Sequence, residues 1–164
     1  MKKLLLAAAM VLGFAGMSFA QVTGTANLQV QVVTAMTMTV SGSLDFGSVP
    51  QGTLTSPAVA VGNGATFTVS GTDSASFEIT LPTAPTQLTN VNDGTKIDFT
   101  PVLKCSVDGT TTGNNAADNT TYTLGALTSK NPGKYYFLLG GSVSVLSTST
   151  AGVYKGTYTL TATY

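Results

Sequence analysis

Residues 26–40 read Ala-Asn-Leu-Gln-Val-Gln-Val-Val-Thr-Ala-Met-Thr-Met-Thr-Val. The even positions carry Ala26, Leu28, Val30, Val32, Thr34, Met36, Met38 and Val40, and the odd ones include Asn27, Gln29, Gln31, Thr37 and Thr39. Side chains of an extended chain point alternately to opposite faces, so this order predicts a strand with one apolar and one polar face. Its fifteen residues would span roughly 50 Å, against five or six residues in an ordinary strand. Either the strand bends and serves both sheets of one sandwich, with the apolar pair Val33 and Ala35 marking a change of phase, or part of it reaches beyond its own domain. Burying Leu28, Val30, Val32, Met36, Met38 and Val40 contributes on the order of 9–18 kcal/mol as an upper bound. Ordering the backbone of the whole segment costs about 15–30 kcal/mol. The segment therefore docks only where ladder hydrogen bonds and a preformed groove add to burial, in its own subunit or, as a strand lent to a sheet edge, in a neighbour.

What precedes this segment places it near the start of a mature chain. Lys2 and Lys3 open a short basic region, an apolar run follows from Leu4 to Gly16, and Ser18-Phe19-Ala20 forms a small-x-small cleavage site. Residues 1–20 are thus expected to be a secretory signal peptide, with the mature domain spanning 21–164. No later window approaches the ~18 consecutive apolar residues of a membrane span, so the mature product is expected to carry no integral membrane segment. The expected location is the periplasm, the cell surface or the extracellular space.

Removing residues 1–20 from the 164 leaves 144, enough for one domain with its own core. Five Lys then stand against seven acidic residues, a formal charge of −2, and there is no Arg. Nucleic acid is a poor partner for such a chain. Weak net charge does little to oppose self-association. Cys105 is the single cysteine and rules out an internal disulfide. It shares a face with Ile97, Phe99 and Leu103 in an alternating run, as a small buried hydrophobe would.

No window after residue 20 has helical periodicity, while Thr, Ser, Val and Gly recur with alternating Tyr and Phe. This predicts an all-β antiparallel sandwich. Strands are expected at 26–40, 44–49, 54–61, 64–70, 75–81, 95–105, 120–125, 134–146 and 153–164, separated by Gly-, Asn- and Pro-rich turns such as Asn92-Asp93-Gly94. Residues 106–119 read as a long loop at one end, and Gly140-Gly141 as a bulge or bend. The last strand mirrors the first: Tyr154, Gly156, Tyr158, Leu160, Ala162 and Tyr164 share one face. Leu28, Val30, Val32, Met36, Met38 and Val40 at one end, with Gly152, Tyr154, Tyr158, Leu160 and Tyr164 at the other, are the candidate strand-pairing residues.

The chain holds no His, so Ser-His-Asp and Cys-His nucleophiles and His-ligated metals are excluded. Glu78 and Asp98 alternate with apolar neighbours as solvent-face residues do, rather than as carboxylates facing across a cleft. The loop from Asp108 to Asp118 is rich in oxygen ligands for Ca²⁺ but lacks the Asp-x-Asp-x-Asp-Gly spacing. No catalytic residue, metal or cofactor is expected.

Leu44-Asp45-Phe46-Gly47, Phe67-Thr68-Val69-Ser70-Gly71, Phe77-Glu78-Ile79-Thr80-Leu81-Pro82, Phe137-Leu138-Leu139-Gly140-Gly141 and Gly152-Val153-Tyr154-Lys155-Gly156-Thr157-Tyr158 occur in that order. Together they resemble a bacterial secreted β-sandwich family of unassigned function that looks related to fimbrial subunits. Gly152 to Tyr164 is also similar to the C-terminal strand of chaperone–usher pilins, although those often carry a disulfide and place the Tyr one residue before the end. The resemblance implies an immunoglobulin-like sandwich, a structural surface subunit as function, self-association or pairing with other surface subunits through strands, and a periplasmic chaperone as a candidate partner. The alternative is an extracellular carbohydrate- or ligand-binding module acting through end loops, with residues 106–119 as its patch.

Overall fold

A computed structural model of the chain describes residues 23–32, 34–53, 58–81 and 87–164. The expected signal peptide, residues 1–20, and the phase change expected at Val33 lie outside them. The chain divides into two units, Met1–Val32 and Val33–Tyr164. In the first, residues 23–32 carry no strand, and Leu28, Val30 and Val32 are 98%, 86% and 89% exposed.

The second unit is all-β and antiparallel, with no helix among the described residues. Its strands are β1 (Thr37–Ser41), β2 (Ala58–Val59), β3 (Thr66–Ser70), β4 (Ser76–Thr80), β5 (Gln87–Asn90), β6 (Lys96–Ser106), β7 (Asn114–Asn115), β8 (Thr120–Thr123), β9 (Lys134–Ser144), β10 (Tyr154–Lys155) and β11 (Thr161–Thr163). One sheet runs β1-β3-β9-β6-β5-β10, with β2 added to β9 and β7 to β6; the second runs β11-β4-β8. The centre of the larger sheet is the pair β6–β9, in unbroken register from Asp98 opposite Ser144 to Ser106 opposite Tyr136.

Period-two alternation builds the core as the sequence implies. Phe67 and Val69 from β3, Phe137 and Leu139 from β9, and Leu103 and Cys105 from β6 meet Phe77 and Ile79 from β4, Tyr122 from β8, and Leu160. Cys105 is free and buried among them. Phe77, Tyr122, Tyr135 and Phe137 pack edge-on or tilted with ring centroids 5.2–6.3 Å apart, the separation aromatic pairs favour. A second cluster, Ile97, Phe99, Val143 and Val145, lies at the other end of β6–β9. The turn expected at residues 92–94 is present and joins β5 to β6: Gly94 takes φ +76° and donates to the Asn90 carbonyl at 3.0 Å.

Several expectations need correction. The strand expected over 26–40 pairs only as Thr37–Ser41, because its partner β3 ends at Ser70, opposite Thr37. Beyond that pair, the Thr34 amide donates to the Thr72 hydroxyl and its carbonyl accepts from the Tyr164 hydroxyl, in place of ladder bonds. The strand expected over 153–164 keeps its alternating burial but pairs only at β10 and β11. Residues 44–49 alternate yet have no ladder partner. Gly140-Gly141 makes no bulge; the register passes straight through it. A Cβ at Gly140 would lie 2.7 Å from the Val59 carbonyl oxygen, and one at Gly141 2.7 Å from the Phe99 ring, so the pair makes room for close neighbours. β5 and β7 were not expected; each is short and polar, so alternation gives little signal.

Phe137 is fully buried between the sheets. Phe137→Ala is expected to cost about 3–5 kcal/mol of unfolding free energy in urea denaturation. A cost below ~1 kcal/mol would show that the two sheets do not share this core.

Candidate functional site

The two long strands of the larger sheet outrun their cover. β6 and β9 have 11 residues each, whereas β4, β8 and β11 have 5, 4 and 3. The second sheet covers the Phe137 end; irregular chain covers the Phe99 and Val143 end. That irregular cover comes from two segments. Residues 43–49 follow β1 and form a strap, and residues 150–158 lead into and past β10 on the β5 edge.

The strap is built by the Leu44-Asp45-Phe46-Gly47 motif. The Asp45 carboxylate accepts the Gly47 amide at 2.8 Å, and Gly47 takes φ +63°, so the backbone turns instead of running on as a strand. Leu44 reaches both core clusters, and Phe46 meets Phe99 edge-on at 5.9 Å. On the other side Tyr158 tilts against Phe67 at 6.2 Å. The Tyr154 hydroxyl donates to the Thr150 carbonyl at 2.6 Å.

Between strap and C-terminal segment lies an open cleft of about 980 Å³. Its floor is the inner face of the larger sheet, with Ile97, Phe99, Leu139, Val143 and Val145. Its walls include Phe46 and Val49 on one side and Tyr154 and Tyr158 on the other. Neither residues 43–49 nor residues 156–160 have a ladder partner among the described residues. An apolar floor bordered by backbone without ladder partners among the described residues has the form of a sheet face open to an added strand.

The candidate pairing residues fall into four groups. Val40, Gly152, Tyr154 and Tyr158 line the cleft. Val40, 58% exposed, is open to solvent because the cleft is. Met36, Met38 and Leu160 line a smaller recess of about 190 Å³ between β1 and β11. Tyr164 ends the chain exposed, with its hydroxyl on Thr34 and close against Gly71. Leu28, Val30 and Val32 stand exposed in the first unit. Sequence reasoning missed Phe46, Phe99, Val143 and Val145; the strap motif was visible, but its role as a cover was not.

The other candidate groups lie elsewhere. Glu78 and Asp98 are exposed on strands of different sheets. Asp108 is held below the usual carboxylate range by the Thr110 hydroxyl and amide, and Asp93 likewise by the Thr95 amide and hydroxyl. Asp118 accepts the Leu81 amide. Buried Asn90 accepts the Asn92 amide and sits against Gly152, where a Cβ would lie 2.5 Å from its amide nitrogen. That contact explains glycine at 152 where the chain turns into β10.

Burial pushes the phenols of Tyr122, Tyr135 and Tyr158 above the ordinary tyrosine value, with the neighbouring Cys105 adding to the effect at Tyr135. A raised folded value means the unfolded chain releases these protons first, near pH ~10. The stability they contribute is complete below that pH and is lost as pH rises through their folded values. In an alkaline titration, phenolate absorbance from these three residues is expected to rise together with loss of β-structure in circular dichroism. Their ionisation in a chain that keeps its β-structure would contradict the packing described.

No curated protein matches the chain. A family model does, over residues 15–164, which takes in the strap, the cleft and both alternating termini. The chain belongs to the DUF4402 family, a domain of unknown function.

Proposed function

We propose that this protein is an exported, non-enzymatic structural subunit of a fimbria-like or other cell-surface assembly, and that it associates through β-strand pairing. The observation that carries this reading is the segment 26–32. Leu28, Val30 and Val32 alternate with Asn27, Gln29 and Gln31, all three apolar side chains are almost fully exposed, and the segment carries no strand. An unpaired, alternating, apolar segment is a template for pairing with another chain. Proteins that stay monomeric blunt such segments with charge or proline, and residues 26–32 have neither. Export rests on the pattern of residues 1–20.

The partners are other copies of the chain or other surface subunits, with a periplasmic chaperone as the escort that covers the apolar segment before assembly. The alternative, a carbohydrate- or ligand-binding module working through residues 106–119, has less support. Asp108 and Asp118 there are engaged by Thr110 and by the Leu81 amide, within the fold itself.

The test is a triple substitution, Leu28→Ser, Val30→Ser and Val32→Ser, in the mature chain. Sedimentation velocity is expected to show concentration-dependent assembly of the unaltered chain and a monomer for the variant, with the same thermal transition for both. Identical size distributions for the two would remove strand pairing by this segment.

A further inference from the structure

Two hydrogen bonds divide the alternating run of residues 26–40 at Thr34, the one polar residue on its even face. The Thr34 amide donates to the Thr72 hydroxyl at 2.7 Å, and the Thr34 carbonyl accepts from the Tyr164 hydroxyl at 3.0 Å. Before Thr34, Leu28, Val30 and Val32 are exposed. After it, Met36 and Met38 pack against the main core cluster and, with Leu160 and Ala162, line the recess of about 190 Å³ between β1 and β11. β1 belongs to the larger sheet and β11 to the smaller, and no ladder joins them. Among the described residues, the bond from Tyr164 to Thr34 is the one hydrogen bond across that seam. The sequence makes room for it. A Cβ at Gly71 would lie 2.5 Å from the Tyr164 hydroxyl and 3.0 Å from the Leu124 side chain, and Gly71 is not among the glycines with positive φ. Glycine at 71 therefore serves the approach of the phenol, not a turn.

β1 on its own is weakly held. It is an edge strand of five residues with β3 as its partner, and short edge elements open locally from their ends. Opening of β1 from its N-terminal end starts at Thr37, the last residue opposite β3, and Thr34 stands just before it. A residue whose amide and carbonyl are both paired must lose both bonds before its neighbours can leave. We infer that Thr72 and Tyr164 form a hydroxyl clasp on the Thr34 backbone, and that this clasp fixes how much of the alternating run the protein keeps. Residues from 34 onward stay in their own sandwich, and those before it are free to pair. Thr72 and Tyr164 are positioning residues, since they act through Thr34. The inference goes beyond the strand-pairing reading: it concerns the residues that are retained, and it holds whatever takes up residues 26–32.

The test is limited proteolysis of the mature chain in dilute solution with thermolysin, which cuts before bulky apolar residues, read by mass mapping. In the unaltered chain, cutting is expected before Leu28, Val30 and Val32 and not before Met36 or Met38. Tyr164→Phe and Thr72→Val each remove one hydroxyl. Each is expected to raise cutting before Met36 and Met38 by about three- to tenfold, the factor that one hydrogen bond of ordinary net strength supplies. Thr72→Ser keeps the hydroxyl and is expected to restore the pattern of the unaltered chain. Phe137 and Leu139, buried on β9, report opening of the whole fold and are expected to stay uncut throughout. Unchanged cutting before Met36 and Met38 in both hydroxyl-deleted variants overturns the clasp. An equal rise before Phe137 and Leu139 also overturns it, because the hydroxyls would then stabilise the whole fold and not the root of the segment. So does an unaltered chain cut before Met36 as fast as before Val32.

Discussion

Two strands of 11 residues cannot be covered by a sheet whose strands run to 5, 4 and 3. At roughly 3.4 Å per residue, β6 and β9 extend about 37 Å, and the longest strand of the smaller sheet about 17 Å. The remaining inner face of β6–β9, with Ile97, Phe99, Val143 and Val145, is still apolar and still has to leave water. Residues 43–49 and 150–158 do part of that work with Leu44, Phe46, Val49 and Tyr154. Apart from β10 that cover is irregular chain, so it leaves an open cleft bordered by residues 43–49 and 156–158, which have no ladder partner among the described residues. The division into two core clusters, the shape of the cleft and the placing of the strap all follow from this mismatch in length.

The alternation of apolar and polar residues made most of the sandwich legible. Thr66–Ser70, Ser76–Thr80, Lys96–Ser106, Thr120–Thr123 and Lys134–Ser144 all fall within or beside segments where that pattern is clear, and Cys105 is buried on the face its neighbours predict. Alternation reports which way side chains point; it does not report whether a neighbour is present to close the ladder. Residues 26–32, 44–46 and 156–160 alternate as a strand would, yet none of them has a ladder partner among the described residues. Partnering is a property of where other strands end: β3 stops at Ser70, so β1 cannot pair before Thr37. The candidate site was legible in part for the same reason. Tyr154, Tyr158 and Val40 are among the candidate pairing residues, whereas Phe99 reads as a core neighbour of Cys105, nothing in the sequence marks Val143, and only the length mismatch turns the two into the floor of a cleft.

Residues 26–32 carry an exposed apolar face, and residues 43–49 and 156–158 border an apolar floor on the larger sheet. Side-chain burial alone does not repay the ordering of such a segment, so the proposed strand pairing draws on backbone hydrogen bonds as well. A uniformly low charge density, 9% of residues, leaves little to oppose close approach of two copies.

Hydrogen–deuterium exchange of the unaltered mature chain across a concentration series tests the proposed strand pairing most directly. The amides of residues 28–32 are expected to be unprotected in dilute solution and to gain protection as concentration rises, while those of β9 stay protected throughout. Exchange at residues 28–32 that is fast at every concentration would contradict the account.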